Sequence, residues 1–291
     1  MFRFQFRRMV HCREFKVALL ASILVACVSL LRGAWSSHII DASRILPAGE
    51  MTIMNGNGNA WTLFSIAWPF LAVLPFATSF VSEKKDQIVV PIVSRGNYRK
   101  YMVSKVLMAG FGSMIVICGV LLAELLACYA IYPARHGTNF GGYQGRSFVK
   151  ELTGMNLMYR SCDPDYWFVG LYLDAPLLCG LVYVAINGLF TFLCGSAIGA
   201  LSLCVNKSKV LLFLPLYLAT VVTLKLRTIL LDRALGRGSV FTDLYWMDYL
   251  APISTNSLSW VYAATVCGIL AAVTIGCTTL GIRNGFRAVQ G

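Results

Sequence analysis

Six long apolar runs, at 17–31, 60–81, 106–132, 175–205, 210–224 and 258–282, leave this chain few ways to fold. A helix needs roughly 20 apolar residues to cross about 30 Å of hydrocarbon, and backbone in lipid must satisfy its own hydrogen bonds. Each run is therefore predicted to be a membrane-spanning helix. With 57% hydrophobic and only 13% charged residues, the 291-residue chain has more apolar surface than one water-soluble core requires. The first run is short, but Lys16 can snorkel and Trp35 can sit among headgroups. The fourth is too long for an unbroken straight crossing, and Asn187, Gly195 and Gly199 mark where it can bend. Pro69, Pro75 and Pro215 are expected to bend the second and fifth. The predicted fold is an all-α integral membrane protein, a single domain over 1–291 with six transmembrane helices. An N-terminal interfacial helix is expected over 1–16. There Phe2, Phe6, Met9 and Val10 recur at helical spacing among Arg3, Arg7, Arg8 and Arg13. A basic segment that merely orients the first span explains the same residues.

The net charge of +12 acquires meaning once it is divided between the two sides of the membrane. With the N-terminus inside, the inner segments 1–16, 82–105, 206–209 and 283–291 hold fifteen Lys or Arg against three acids. The outer loops hold ten against nine, so the positive-inside rule places both termini in the cytoplasm of a multi-pass protein. A nucleic-acid partner, which so basic a chain could otherwise imply, does not fit six spans, so the basic inner face is expected to meet membrane lipid.

Of ten cysteines, Cys27, Cys118, Cys128, Cys179, Cys194, Cys204, Cys267 and Cys277 fall in or at the runs, where they serve as small packing residues. Only Cys162 lies in an outer loop, so no loop disulfide is implied. The first outer loop, 32–59, carries no recognisable chemistry; the glycine-rich second, 133–170, is too polar for hydrocarbon and too short for a domain, and a substrate-gating role for it stays open. The third, 225–257, keeps Ile229, Leu230, Leu231, Tyr245, Trp246 and Met247 among its charges. It either supplies interfacial aromatics or dips back as short half-helices.

No Gly-x-x-x-x-Gly-Lys-[Ser/Thr] phosphate loop occurs, so no nucleotide site is expected in this chain. An intramembrane Ser/His pair is excluded because His11, His38 and His136 lie outside the runs, and an aspartyl pair because Glu124 is the one acid inside them. No catalytic residue, metal site or cofactor is expected. Glu124 is costly to hold in lipid and is expected to face a cavity or to pair near the interface with Lys225 or Arg227. Asn187 either lines a pathway or bonds a neighbouring helix, and Gly195-x-x-x-Gly199 permits close helix packing.

The most informative segment is the inner loop 82–105. It is highly charged yet contains Ile88-Val89-Val90, and Asn97 is suited to cap a helix running into the third span. Tyr98, Tyr101 and Lys105 then share one face at i, i+3 and i+7. Glu83 after the second span, followed by Ser94-Arg95, Tyr101 and Lys105 leading into the third, resembles the permease subunits of type-2 ABC exporters. The Gly-Thr or Gly-Ser pair usual after the acid is replaced by Lys85-Asp86-Gln87. More loosely, the resemblance covers the whole chain: an N-terminal interfacial helix, six spans and a semi-apolar segment before the last.

The resemblance implies a half-sized permease in the plasma membrane of a bacterial cell. It would pair with a second, identical or homologous permease and with two copies of a separate ATPase that binds ATP and Mg²⁺. Glu83, Arg95, Tyr98, Tyr101 and Lys105 would couple closure of that ATPase to the spans. The expected cargo is an amphiphilic or hydrophobic compound, such as a peptide, antibiotic or lipid-like molecule, moved out of the cell. Two other classes stay open: a membrane scaffold whose basic loop recruits a different cytoplasmic partner, and a secondary transporter. The second is weakened by the lack of several intramembrane acids and of an internal repeat.

Overall fold

A computed structural model of the chain describes residues 2–39, 48, 52–55, 59–77, 79–80, 83, 98–132, 168, 171, 175–204, 209–232, 246–251 and 259–290. Among the described residues there are seven α-helices, two short 3₁₀ helices and no strand. The α-helices are α1 (Phe2–His11), α2 (Arg13–Ile39), α3 (Asn59–Val73), α4 (Tyr98–Ile131), α5 (Pro176–Cys204), α6 (Lys209–Asp232) and α7 (Trp260–Gln290). Among the described residues, four stretches are long and apolar enough to cross a membrane: Arg13–Trp35, Tyr98–Ile131, Pro176–Cys204 and Trp260–Arg283. They mark a membrane-embedded protein. The other two expected spans correspond to shorter apolar stretches, Leu63–Val73 in α3 and Leu211–Lys225 in α6.

Proline explains the shortening of α3. The expected run extended to residue 81, but the helix stops at Val73 and gives way to a turn containing Pro75, which has no N–H to offer the helix. The chain turns there on the bond from Ser79 N–H to Phe76 O at 3.0 Å. Pro69 and Pro215, by contrast, are carried inside α3 and α6.

The N-terminal segment forms two helices rather than one. Cys12 makes the corner: its thiol donates to Pro75 O at 3.3 Å, and its sulfur receives the N–H of Phe15 at 3.3 Å. Burial pushes the Cys12 thiol up, which keeps the proton that makes the first of these bonds.

In α2, Val17, Leu20, Leu24, Val28, Leu31 and Trp35 are exposed, forming the stripe that lipid would cover. The opposite stripe of Ala18, Ser22, Val25 and Ser29 is buried against the bundle. Small residues there let backbones approach, which matters in a solvent that gives apolar side chains little reason to leave it.

The same logic governs α4 and α5, the most extensively paired elements, with α7 along α5 and α2 along α4. Asn187, Gly195 and Gly199, the positions expected to allow a bend, lie within one continuous 29-residue helix. The two glycines are contact points. A Cβ on Gly195 would sit 2.9 Å from the Cβ of Ser113, and one on Gly199 would sit 2.7 Å from that of Ala109.

Candidate functional site

Glu83 follows the apolar part of α3 and reaches the base of α4, where its two oxygens have different partners. Oε2 accepts the hydroxyl of Tyr101, and Oε1 accepts the ammonium of Lys105. Arg8 of α1 approaches the same Oε1 at 3.1 Å. Glu83 and Lys105 are each only 3% exposed and Tyr101 is fully enclosed, whereas the Arg8 side chain keeps 31% exposure. Lys105 also lies 4.2 Å from the centroid of the Phe76 ring, which offers its negative face to the ammonium. Gln5, fully buried, borders the Tyr101 hydroxyl from α1.

The helical spacing predicted for 98–105 explains this convergence. Tyr101 and Lys105 are one turn apart on α4, so both face Glu83. Tyr98, one turn earlier, donates instead to Gly281 O of α7 at 3.5 Å. Three of the expected residues, Glu83, Tyr101 and Lys105, are thus in direct contact, while Tyr98 links the same base to α7. Arg95, the capping residue Asn97 and the rest of the loop 84–97 lie outside the described residues.

Sequence reasoning missed Arg8, Gln5 and Phe76. A signal was available in α1, where Gln5 and Met9, four residues apart, are its buried residues. A polar residue on that stripe points to a polar partner opposite. Phe2, Phe6 and Val10, grouped with Met9 in the sequence, are exposed.

The second acid, Glu124, lies nineteen positions beyond Lys105 on α4, about 29 Å along the helix axis. It is 1% exposed. Its Oε1 accepts the N–H of Ile53 at 2.9 Å, the hydroxyl of Ser29 at 3.2 Å and the thiol of Cys128 at 3.9 Å. The expected pairing with Lys225 does not form: that side chain is exposed on α6, and the Arg227 side chain lies outside those described. The Ile53–Asn55 turn brings a backbone N–H into the bundle and supplies what a cation was expected to supply. Part of the loop 32–59 thus packs into the bundle, with Thr52, Ile53 and Met54 buried.

Between the two acids, Asn187 donates to Tyr183 O and to Leu250 O, both at 2.8 Å. Of the two roles left open for it, the bond is the one seen, and its partner is the short 3₁₀ helix Trp246–Leu250 rather than a long neighbour. Trp246, Met247, Tyr249 and Leu250 are buried, so this part of 225–257 dips into the bundle. The Trp246 ring packs 4.6 Å from Trp68 and 5.1 Å from Phe190, centroid to centroid.

These arrangements suit mechanical linkage. A carboxylate that binds two cations and a phenol fixes three segments to one another: α1, the segment after α3 and the first turns of α4. Among the described residues no three His, Cys, Asp or Glu side chains gather closely enough to hold a metal ion. No protein-family model, curated protein or solved structure matches the chain.

Proposed function

We propose that the chain is the membrane-spanning permease subunit of an ATP-driven exporter of the type-2 ABC class, moving an amphiphilic or hydrophobic compound out of a bacterial cell. The observation that carries this reading is the buried Glu83–Tyr101–Lys105 network with Arg8 at its edge. A permease without a nucleotide site must receive force from a partner, and the segment that receives it must be rigidly joined to the helices it moves. Glu83 supplies such a joint. It anchors the segment that continues into the charged loop 84–97, the surface offered to the ATPase, directly to α4 and α1. Tyr98 extends the joint to α7.

In this reading α3 and α6 complete six spans, α1 lies in the inner interface, and both termini face the cytoplasm of a plasma-membrane protein, in keeping with the charge distribution. Two permeases, identical or homologous, assemble with two ATPase subunits that hold ATP and Mg²⁺. The inward-dipping turns Ile53–Asn55 and Trp246–Leu250 close the bundle at the end away from the ATPase.

The test is affinity purification in mild detergent followed by an ATP-hydrolysis assay, with Tyr101→Phe and Arg95→Ala in parallel. Tyr101→Phe removes the hydroxyl bonded to Glu83 and keeps the ring. Recovery of a P-loop ATPase whose hydrolysis no longer responds to the permease in either variant is the expected result. If no ATPase is recovered from membranes that keep other ABC complexes intact, the exporter reading falls and the scaffold reading replaces it.

A further inference from the structure

Away from both acids, an open groove of about 320 Å³ runs between α1 and the start of α4, lined by Phe2, Arg99, Lys100, Val103, Ser104 and Leu107. Its two ends differ in chemistry. Arg99 and Lys100 are exposed at one end, and Phe2, Val103 and Leu107 are 47%, 40% and 38% exposed toward the other. From Lys100 to Leu107 the helix rises about 10 Å, enough to pass from the headgroup layer into hydrocarbon. The first turn of α4 contains no acid, and a helix start itself carries partial positive charge, so the basic end of the groove sums three favourable terms for an anion. The neighbouring α1 adds exposed Arg3 and Arg7 together with the exposed rings of Phe4 and Phe6. Two exposed cations at one end of an apolar slot match a molecule with an anionic head and an apolar tail.

We infer that this groove binds an anionic phospholipid, its phosphate held by Arg99 and Lys100 and the first part of an acyl chain lying along Val103, Leu107 and Phe2. The site would seat lipid against the same helix turns that carry Tyr101 and Lys105, on the opposite side from Glu83. The inference rests on the chain being membrane-embedded and not on the exporter reading, so lipid binding and ATPase coupling can fail separately.

The experiment uses the full chain in phosphatidylcholine nanodiscs containing a small fraction of phosphatidylglycerol with a photoreactive acyl chain, with labelled residues mapped by mass spectrometry. Labelling is expected on Phe2 and within 99–107. Since each cation near an anionic lipid contributes severalfold, labelling should fall about tenfold in the R99Q/K100Q variant. Val103→Trp fills the apolar part without altering charge and should lower labelling severalfold. All three positions are exposed, so the variants should stay monodisperse. Four results would each overturn the site: no label within 99–107, equal labelling by photoreactive phosphatidylcholine, no loss in R99Q/K100Q, or a loss there with none in Val103→Trp. The last would reveal diffuse surface charge. Displacement of the label by inorganic phosphate at matched ionic strength would assign the basic end to a soluble anion.

Discussion

The two ends of α4 each bury a glutamate, and they solve the same problem differently. Glu83 is matched by charge: Lys105 and Arg8 share Oε1, and Tyr101 takes Oε2. Glu124 is matched at one oxygen only, where a backbone N–H, a hydroxyl and a thiol converge on Oε1, while the buried Oε2 has no hydrogen-bond partner among the described residues. The first site ties together segments that approach from one side of the bundle, with Arg8 reaching outward. The second ties α2 and an inward-dipping turn to α4. Removing one member of an ion pair leaves an uncompensated buried charge, whereas removing one member of a neutral cluster leaves unpaired dipoles. The difference therefore predicts which end is brittle and which is tolerant.

The largest effect is expected at the charged end. Glu83→Ala strands Lys105, which is 3% exposed, and should cost about 3–5 kcal/mol. Thermal unfolding of the detergent-solubilised protein, followed by fluorescence-detected size exclusion, measures it. Glu83→Met combined with Lys105→Met removes both charges at similar volume and should recover most of the loss. A single Glu83→Ala variant as stable as the parent would mean the pair is not buried as described.

The seam between the two ends comes next. Gly195→Ala places a methyl 2.9 Å from the Cβ of Ser113 and 3.0 Å from the carbonyl oxygen of Ala109, whereas Gly268→Ala on α7 meets nothing within 4 Å. The first should cost about 1–3 kcal/mol and the second should be neutral or slightly favourable, because alanine is the better helix former. Equal behaviour in the same unfolding assay would break the claim that Gly195 is a close-contact point between α4 and α5.

How far the sequence foretells each end follows from the same contrast. The Glu83 end is legible because Tyr101 and Lys105 are close in sequence on one helix, and local periodicity places them on one face. Its third member, Arg8, was one cation among several at helical spacing, and nothing local distinguishes it from Arg3 or Arg7; tertiary packing of Gln5 and Met9 selects it. The Glu124 end depends on contacts between residues 71 and 95 positions apart, with a backbone group as the principal donor, and no residue pattern announces a backbone N–H. Positions of the long helices were legible from apolar length. Where α3 stops was not, although Pro75 marks the place, since proline in lipid is compatible with either a kink or an end.

A smaller effect tests the inward-dipping turn. Asn187→Leu leaves Leu250 O without its donor and should cost about 1 kcal/mol. More telling is where the loss appears. Hydrogen exchange at 246–251 should quicken while exchange in the first turns of α4 stays unchanged, because among the described residues no bond links Asn187 to the Glu83 cluster. A uniform quickening along the bundle would instead make the turn part of the global fold.

The smallest expected effect separates the two glutamates most sharply. A glutamine at either position keeps the side-chain length and one carbonyl oxygen, removes the capacity for charge and puts an amide NH2 in place of the second oxygen. At position 124 that oxygen can still accept from Ile53, Ser29 and Cys128, so Glu124→Gln should shift stability by less than about 0.5 kcal/mol. At position 83 the same exchange leaves Lys105 and Arg8 facing a neutral amide that also brings its own N–H donors into a site crowded with donors. Glu83→Gln should therefore cost roughly 2 kcal/mol or more. The paired comparison cancels any general effect of glutamine in a helical bundle. If Glu124→Gln proves the more damaging, that carboxyl depends on its charge and not on the acceptor geometry of Oε1 alone.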